Sequence, residues 1–369
     1  MRVVVAMSGG VDSSVAAGLM VEQGYDVIGI TMKLRDTEPE EKAGSAGSCC
    51  SPSDLMDARR VCDDLGIPHY ILDYRDVFRE RVIEPFAKDY LNGLTPNPCV
   101  QCNDHVKFAP LLTRAQDLGA DFLVTGHYAR INHGDDGHLY LQKAVDLSKD
   151  QSYFLFGLGQ PELQQLMFPL GGLDKDTVRA KAKALGLANW DKADSEDICF
   201  VPGGDYKKVV ERVVGAEALP GSGELVSTTG EVLGKHEGIH RYTIGQRRGL
   251  GLAAGERLYV TGISPESNEV VVGSRDELLS SGLSAVRCTW ATGIAPDSSV
   301  NCTVRIRYRH RGVDGEVVPI GDRALVRFEM PEAAVAPGQA VVFYRDDLVL
   351  GGGWIERSTT VEASTNVTN

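Results

Sequence analysis

The first two hundred residues alternate short apolar runs with helical patterns. The apolar runs, typical of buried parallel strands, occupy residues 3–7, 27–32, 70–72 and 122–125. Helical spacing of apolar positions occupies residues 13–23, 53–65, 77–91 and 106–118. We expect Ser53 to be the N-cap of the second helix. This order predicts an α/β fold: a doubly wound parallel sheet with helices on both faces and ligands at the carboxyl ends of its strands.

From about residue 220 the pattern changes to closely spaced β-branched runs separated by Gly, Pro, Ser and Asn. Such spacing predicts small barrels or sandwiches. The runs are residues 231–233, 257–260, 270–272, 300–308, 324–328 and 340–344. We therefore predict an α/β domain over 1–205, a small central β-rich domain over 206–275, a β-barrel-like domain over 276–358 and a disordered polar tail over 359–369.

Composition and charge narrow the class of protein. Of the 369 residues, 43% are hydrophobic and 24% are charged, which excludes a disordered, collagen-like or disulfide-scaffold protein. The net charge of −13 excludes a strongly basic nucleic-acid binder as a description of the whole chain, but not a local basic patch. No apolar run approaches the roughly 18 residues of a membrane helix, and the first one breaks at Ser8. We expect a soluble, cytoplasmic protein with no membrane partner.

Residues 6–14, Ala-Met-Ser-Gly-Gly-Val-Asp-Ser-Ser, join the first strand to the first helix. Small residues let the backbone approach a polyanion, and N–H groups at the helix N-terminus then bind phosphate oxygens. The hydroxyls of Ser8, Ser13 and Ser14 add donors. Asp12 would repel phosphate, which predicts that it holds a divalent cation. The alternative is a plain Gly-rich turn. The string fits neither a Walker loop, which has a Lys, nor a dinucleotide fingerprint.

Three of the eight cysteines point to catalysis or metal binding. Cys99 and Cys102 form a Cys-x-x-Cys in a Pro-rich loop, which we expect to precede a helix starting near Asp104. A helix N-terminus stabilises thiolate. With Cys199 they support three interpretations: a two-cysteine sulfur-transfer or redox pair, an iron–sulfur or other metal site, or buried inert thiols. The cysteines without such a context are Cys49, Cys50, Cys62, Cys288 and Cys302.

An alternating run from Arg305 to Arg311, Arg-Ile-Arg-Tyr-Arg-His-Arg, predicts a strand with four arginines on one face. Four guanidinium groups on one face repel each other unless an anion neutralises them, and RNA phosphate is a natural one. The alternative is a solvated face with local partners such as Asp314 and Glu316. The arginines of a second predicted basic cluster are Arg241, Arg247 and Arg248.

The phosphate-loop string resembles the Ser-Gly-Gly-x-Asp-Ser loop of the ATP pyrophosphatase (PP-loop) enzymes. That resemblance implies a Rossmann-like domain that cleaves ATP between its α and β phosphates and forms an adenylated intermediate, with Mg²⁺ on Asp12. It also implies that Met32 lies over the adenine and that Gly126 approaches the nucleotide. From the residues alone, these are also explained as a core methionine and a turn glycine. The implied ATP-binding residues are Ala6, Met7, Ser8, Gly9, Gly10, Val11, Asp12, Ser13, Met32 and Gly126.

Further motifs follow in order along the chain. They are Thr95-Pro-Asn-Pro98, Cys102-Asn103, Lys107-Phe108, Thr125-Gly-His-Tyr128, Lys149-Asp-Gln-Ser-Tyr153, Cys199-Phe200 and the segment from Arg241 to Leu250. With the phosphate loop they closely resemble the tRNA-specific 2-thiouridylase (MnmA/TrmU) family over all but the tail. The resemblance implies that ATP adenylates O2 of the wobble uridine, U34, of tRNA, and that persulfide sulfur on Cys199 replaces that oxygen. It implies Cys102 as the nucleophile, with a transient Cys102–Cys199 disulfide.

The family further implies partners and contacts. Its substrates are the tRNAs for Lys, Glu and Gln, and a cysteine desulfurase or sulfur relay protein supplies the persulfide. The residues implied to touch the target base are Asn97, Pro98 and Cys99. Those implied to contact tRNA are His127, Lys149, Asp150, Gln151, Arg307, Tyr308 and Gln339.

The chain departs from the family pattern at Cys99. Members of the family carry Asp at this position as a proposed general base, a role that a thiolate fills differently. Cys99 also makes an iron–sulfur cluster on Cys99, Cys102 and Cys199 a further hypothesis. Two other functions stay open: a PP-loop ligase or amidotransferase acting on a small molecule, and a non-enzymatic RNA-binding or iron–sulfur carrier protein.

Overall fold

The computed structural model describes residues 1–36, 52–194, 197–252 and 257–359. Cys49, Cys50 and the predicted tail beyond Thr359 lie outside these residues. The α-helices are α1 (Val11–Glu22), α2 (Pro52–Leu65), α3 (Arg75–Phe78), α4 (Glu84–Leu91), α5 (Pro98–Cys102), α6 (Ala109–Asp117), α7 (Gln160–Leu163), α8 (Lys175–Ala184) and α9 (Tyr206–Val214). The strands are β1 (Arg2–Ala6), β2 (Asp26–Lys33), β3 (His69–Asp73), β4 (Phe122–Val124), β5 (Ala129–His133), β6 (Leu139–Lys143), β7 (Leu166–Met167), β8 (Gly223–Ser227), β9 (Val232–His236), β10 (Tyr259–Ser264), β11 (Glu269–Gly273), β12 (Leu279–Trp290), β13 (Val300–Arg305), β14 (Val313–Ile320), β15 (Arg323–Ala333), β16 (Ala340–Arg345) and β17 (Leu348–Thr359).

The first sheet is parallel, with the strand order β3-β2-β1-β4-β7. Alternate residues of β1 face opposite sides: Val4 packs in one hydrophobic core, and Val3 and Val5 pack in another. Because both faces of the sheet are covered, its inner strands are continuously apolar. The predicted doubly wound α/β domain is confirmed. The strand order reverses between β1 and β4, where such folds bind ligands.

Two β-rich sheets follow, as predicted. The strands β10-β11-β8-β9 enclose a small core that includes Leu225, Val260 and Val270. The strands β12-β15-β14-β13-β16-β17 form a barrel that closes through the pairing of β12 with β17. The hairpin β5–β6, from the first half of the chain, extends the barrel sheet beyond β17. The α/β part and the barrel therefore share a sheet, and the division at 205 and 275 remains a prediction.

Two long helices on one face of the parallel sheet contain π-helical turns. The helix α3 continues through Arg79–Ile83 into α4, and α5 continues through Asn103–Phe108 into α6. The predicted helix start near Asp104 is wrong, because the helix begins at Pro98. Proline suits a first turn, and Asn97 Oδ1 accepts a hydrogen bond from the backbone N–H of Val100 at 3.4 Å. The Cys-x-x-Cys therefore lies inside the helix, and π-turns are frequent at functional sites.

Some boundaries differ from the prediction. Pro52 already belongs to α2, so Ser53 is not the N-cap of that helix. The strand β13 ends at Arg305 instead of extending to residue 308. The strands β12, β14 and β17 give no alternating apolar pattern, because Gly, Ser and Pro interrupt it. Within the described ranges, no helix has the length and apolarity needed to cross a membrane.

Candidate active site

The phosphate loop lies at the carboxyl end of β1, beside β4. Gly9 has a φ of +75°, and a Cβ there would lie 2.2 Å from the carbonyl oxygen of Asp54. Gly126, just beyond β4, packs on the start of α1, where an added Cβ would lie 2.7 Å from Ser13 N. Both positions therefore require glycine. Their close packing brings the loops after β1 and β4 together at the reversal point of the sheet.

The hydroxyl groups of the loop stabilise the loop itself. Ser13 Oγ accepts a hydrogen bond from Ser8 N and donates to the Gly10 carbonyl, each at 3.1 Å. Ser14 Oγ donates to the same carbonyl at 2.9 Å. Among the described residues, no side chain caps α1, and the Gly10 N–H just before it makes only a long bond of 3.4 Å to Ser8 Oγ. The N–H groups at this helix start, together with the helix dipole, are suited to bind an anion.

Asp12 has a cationic partner that the local sequence did not indicate. Lys175 Nζ lies 2.8 Å from Oδ1 and 3.0 Å from Oδ2, and the Tyr128 hydroxyl donates to Oδ1 at 2.8 Å. Lys175 is buried and 163 residues distant in sequence. The one available signal was a lysine at the first position of a helix, where the dipole disfavours a cation. Because the ammonium neutralises Asp12, a divalent cation is not required to explain that carboxylate.

Asp194 extends this ion-pair network towards the segment that carries Cys199. Its carboxylate lies 2.7 Å from Lys175 Nζ, 2.6 Å from Lys149 Nζ and 3.4 Å from the Arg179 guanidinium. Burial opposes ionisation of Asp194, but the hydrogen bonds from the lysines outweigh burial and hold its pKa below the usual range. Lys149, an implied tRNA contact, is thus an ion-pair partner inside the site.

Cys99 and Cys102 lie at the start of the helix that begins at Pro98, where the helix dipole favours thiolate. Cys102 is buried in a core cluster on which the partly buried Cys199 also packs. No disulfide joins these cysteines. Among the described residues, no three Cys, His, Asp or Glu side chains are placed to hold a metal ion. The pairing of Cys102 with Cys199 and the iron–sulfur alternative both stay predictions.

Several of the implied nucleotide contacts belong to the core. The side chains of Met7, Val11 and Met32 are buried, and Ala6 ends β1. Met32 lies in the same cluster as Cys102, so its packing role is observed and its adenine contact stays a prediction.

Three other cysteines have the properties of inert core residues. Burial raises the thiol pKa to about 12 at Cys62, Cys288 and Cys302.

The barrel holds the loop that precedes the Cys-x-x-Cys. Gln339 Nε2 donates hydrogen bonds to the carbonyl groups of Thr95 and Pro96, at 3.1 Å each. Thr95 N donates to the Pro337 carbonyl at 2.7 Å. Because the amide nitrogen of Gln339 is bonded within the protein, this side chain positions the loop of Asn97. Its contact with tRNA remains a prediction.

Asp150 and Gln151 also bond inside the protein. Asp150 is 3% exposed, accepts from Ser152 Oγ at 3.0 Å and pairs with Arg305 of the barrel at 3.1 Å. Gln151 Oε1 accepts from Tyr128 N at 2.9 Å and so supports the tyrosine that bonds Asp12. Both side chains therefore position their neighbours, and their implied tRNA contacts stay predictions.

The arginine run is not a strand with four arginines on one face. After β13 ends, residues 306–310 form a turn in which the Arg305 guanidinium donates to the carbonyl groups of His310, at 3.0 Å, and Tyr308. The Arg305 side chain points into the protein, where it also pairs with the buried carboxylate of Asp150. The arginines exposed on the turn are Arg307, Arg309 and Arg311.

The turn after β13 reaches the helix that carries Cys102. The ring of Tyr308 lies 4.4 Å from the ring of Phe154, centroid to centroid. The carbonyl of Phe154 accepts a hydrogen bond from Asn103 Nδ2 at 3.0 Å, next to Cys102. The exposed arginines therefore lie on the segment that borders the two-cysteine site.

His127 is held as a neutral side chain. Its ring packs between Phe108 and Phe168, with centroid distances of 5.8 and 6.2 Å, and its Nδ1 lies 2.8 Å from Thr125 Oγ1. Burial lowers its pKa to about 3. At neutral pH it can offer RNA a hydrogen bond but no positive charge.

The second predicted basic cluster is partly neutralised. Arg241 pairs with Glu211 at 2.7 Å and with Glu237 at 3.0 Å. Arg247 and Arg248 are exposed. In this cluster, Arg247 and Arg248 therefore carry the positive charge that is available to an anion.

Comparison with protein-family models divides the chain into three matched parts. Residues 1–203 match a tRNA methyl transferase HUP domain, residues 207–274 a tRNA methyl transferase PRC-barrel domain, and residues 280–355 an aminomethyltransferase β-barrel domain. A solved 4-thiouridine synthetase–RNA complex with bound ATP is 16% identical, with a TM-score of 0.34 over 57% of this chain and 50% of that one. A likeness that low does not by itself indicate a shared function.

Full-length relatives are much more similar. The tRNA-specific 2-thiouridylase MnmA of Geobacter metallireducens is 50% identical over 97% of this chain and 98% of its own length. The protein of the same name from Geotalea uraniireducens is 48% identical over 98% and 97%, and that from Solibacter usitatus is 47% identical over 96% and 99%. The domain descriptions mention methyl transfer, but these three relatives, matched over nearly their whole length, all carry the name tRNA-specific 2-thiouridylase MnmA. The chain belongs to the tRNA-specific 2-thiouridylase MnmA family.

Proposed function

We propose that this chain replaces O2 of the wobble uridine, U34, of tRNA with sulfur, through ATP-dependent adenylation and a cysteine persulfide. The observation that carries the proposal is identity of about 50% with 2-thiouridylases over nearly the full length. The site supports it, because a PP-loop-type phosphate site and two cysteines on one core cluster occur in the same domain. A ligase acting on a small molecule would need neither cysteine.

The first step activates the uridine. O2 attacks the α-phosphorus of ATP, the bond to the bridging oxygen breaks, and pyrophosphate leaves, so that O2 can later depart as part of AMP. The N–H groups at the start of α1 stabilise phosphate charge, and Lys175 lies beside them on Asp12. Asp12 is the proposed carboxylate ligand for Mg²⁺, which it would hold together with substrate phosphates by exchanging its contacts with Lys175 for the ion. That ion would supply neutralisation of the pyrophosphate charge.

The second step delivers sulfur. Cys102 thiolate attacks the inner sulfur of a Cys199 persulfide, the sulfur–sulfur bond breaks, and hydrosulfide leaves as the Cys102–Cys199 disulfide forms. Hydrosulfide adds to C2 of the adenylated uridine, loses its proton and expels AMP with the original O2. An external dithiol supplies the two electrons that reopen the disulfide. A cysteine desulfurase or relay protein supplies each new persulfide sulfur.

The tRNA site follows from the elements around the two cysteines. A base in the anticodon loop can be splayed out of its stack, as sequence-specific RNA recognition requires. Asn97, Pro98 and Cys99, at the start of the nucleophile helix, line the proposed base position. The side chains proposed to reach the RNA directly are Lys149, Arg307 and Tyr308. Those proposed to support the site chiefly from within are His127, Asp150, Gln151 and Gln339. The proposed substrates are the tRNAs for Lys, Glu and Gln.

One reconstituted assay tests this function. The purified chain is incubated with MgATP, a tRNA transcript and a cysteine desulfurase with free cysteine, and both pyrophosphate and 2-thiouridine are measured. We expect pyrophosphate release that depends on tRNA, and 2-thiouridine at U34. Release without RNA would indicate a small-molecule ligase. No release under any condition would indicate a carrier protein.

A further inference from the structure

Two residues outside the motifs named above hold the phosphate loop on the side of α2. Lys192 Nζ and Asn189 Nδ2 both donate hydrogen bonds to the carbonyl oxygen of Gly9, at 3.1 Å each. Lys192 Nζ is itself held by carboxylate oxygens of Asp54 and Asp57 on α2, at 2.6 Å each. The carbonyl that precedes the start of α1 is therefore bound by two donors from a segment about 180 residues further along the chain.

The amide of Asn189 can adopt only one orientation here. Its Nδ2 also donates to Ser14 Oγ at 3.0 Å, and that hydroxyl donates its own hydrogen to the Gly10 carbonyl. A flipped amide would place its oxygen against the Gly9 carbonyl. Asn189 Oδ1 is buried with no hydrogen-bond partner in the part of the chain that the structure describes. A buried unpaired acceptor lowers stability, and an apolar side chain would avoid that loss. The feature that favours an amide at this position is therefore its hydrogen bond to the Gly9 carbonyl.

These bonds set the direction of the peptide groups that face the nucleotide. In a trans peptide the C=O and N–H point in opposite directions, and the described chain has no cis peptide bond. Anchoring the Gly9 carbonyl therefore aims the Gly10 N–H away from Lys192, towards Ser8 Oγ, to which it donates a long hydrogen bond of 3.4 Å. The Gly10 carbonyl is turned inward by the hydroxyls of Ser13 and Ser14. With two consecutive carbonyls bound on the protein side, the N–H groups of Gly10 and Val11 point to the opposite side, where an anion can bind next to the Ser8 hydroxyl.

We propose that Lys192 and Asn189 are positioning residues of the ATP site, which keep the phosphate loop in its phosphate-binding conformation without touching the nucleotide. The proposal rests on the use of ATP by the proposed function and adds how the shape of the loop is maintained. Lys192 does not act on the nucleotide through its positive charge, because two carboxylates at 2.6 Å neutralise that charge. It acts by fixing the orientation of the peptide group between Gly9 and Gly10.

The test compares a ligand with phosphates and one without. Dissociation constants of the full chain for MgATP and for adenosine are measured by calorimetry. We expect Lys192→Met to weaken MgATP binding about tenfold, as for loss of a positioned hydrogen bond, and adenosine binding less than twofold. Asn189→Leu should act in the same direction, and Lys192→Arg, which keeps the donor and the charge, should recover most of the MgATP affinity. Lys183→Met is the matched control, because Lys183 lies over the ring of Trp190, 5.1 Å from its centroid, and no bond joins it to Gly9.

Equal losses for MgATP and adenosine would overturn the proposal, because they would reflect less folded protein. MgATP binding within twofold of the parent chain would overturn it as well. If Lys192→Met fails to fold because Asp54 and Asp57 lose their cation, Asn189→Leu decides, since that change also removes the unpaired oxygen. If the parent chain binds MgATP but forms no 2-thiouridine, the proposed function fails while this inference stands.

Discussion

Individual side chains set the charge of the active site. Lys175 neutralises Asp12, and Asp194 is shared among Lys149, Lys175 and Arg179. His127 is half-buried between two aromatic rings, and this burial lowers its pKa so that the ring stays uncharged. The groups available to bind ATP are therefore the N–H dipoles at the start of α1 and ammonium groups that are already paired with carboxylates. Such a site can exchange one anionic partner for another without burying an isolated charge.

The carboxyl group of Asp104, two residues after Cys102, gives stability a pH dependence. Burial and then the nearby charge of Glu162 raise its pKa to about 7, against 3.8 for the ordinary group. Between these values the folded chain binds more protons than the unfolded one, so this group lowers the free energy of unfolding as pH rises from about 4 to about 7. We expect Asp104→Asn to raise that free energy by roughly 2 kcal/mol at pH 8 and to leave it nearly unchanged at pH 4.

Urea denaturation of both chains at pH 4, 6 and 8 measures the Asp104 effect. A difference that is the same at all three values would contradict it. Glu80→Gln, which removes an exposed carboxylate far from Asp104 in the chain, serves as the control for loss of a negative charge.

The two proposed sulfur-handling cysteines should have separable defects. Cys102→Ala and Cys199→Ala should each stop multiple turnover, because hydrosulfide release needs both. Cys102→Ala should still accept labelled sulfur on Cys199, since loading precedes transfer. Radiolabelled cysteine with a desulfurase, followed by peptide mass spectrometry, locates the sulfur. Label missing from Cys199 in an otherwise active parent chain would rule out the persulfide route.

Cys99 stands where the family resemblance implies an Asp, and its role can be tested directly. If Cys99 fills the position of a base, Cys99→Asp should retain much of the thiolation rate and Cys99→Ala little of it. Thiolation per bound tRNA measures the effect. Iron and labile sulfide in anaerobically purified protein, both lost in Cys99→Ala together with activity, would instead support a cluster.

At the scale of elements, the helix from Pro98 to Asp117 and the barrel turn at Pro337 act together. The helix start is fixed by Asn97 from within and by Gln339 from the barrel. One π-helical segment lies within this helix, at Asn103–Phe108, and another lies in the helix from Arg75 to Leu91, so both helices depart from regular geometry. The barrel is thus part of the structural support of the catalytic loop.

We expect Gln339→Met, which keeps the size of the side chain but removes its amide donors, to lower the thiolation kcat about tenfold and leave MgATP binding unchanged. The reason is that the loop of Asn97 loses two anchors while the phosphate loop is untouched. Steady-state thiolation with saturating tRNA measures kcat. Gln246→Met, in the central β-rich part of the chain, is the matched control. A parallel loss of MgATP affinity would show a general effect on folding.

At the scale of the whole molecule, an acidic protein has to bind RNA. The net charge is −13, and the turn after β13 exposes three arginines beside the cysteine site. Asp150 and Arg305 join the α/β part to the barrel through a buried ion pair. Attraction of RNA is therefore local, and it depends on this turn keeping its place against the α/β part.

Replacing Arg307 and Arg309 together with Ala should weaken tRNA binding and flatten its salt dependence, by roughly one unit of slope per lost phosphate contact. Filter binding of tRNA from low to moderate salt measures the slope. The control is the double variant Arg323→Ala and Arg327→Ala, which removes two barrel arginines that pair with Glu356 and Glu316. An unchanged slope would contradict the prediction and would indicate that these arginines are solvated and do not contact RNA.

The sequence by itself determined the parallel sheet, the phosphate loop and the cysteines, because strand runs, glycine positions and Cys-x-x-Cys spacing are local patterns. It also carried the family resemblance, which the full-length relatives confirm. Only the tertiary structure decided that Lys175 pairs with Asp12 and that Lys192 binds the Gly9 carbonyl. It also decided that the β5–β6 hairpin joins the barrel sheet and that the arginine run turns after Arg305. Those outcomes depend on contacts between residues far apart in the chain, such as the 163 positions between Asp12 and Lys175. No local periodicity records such contacts, since they form only when separate elements pack.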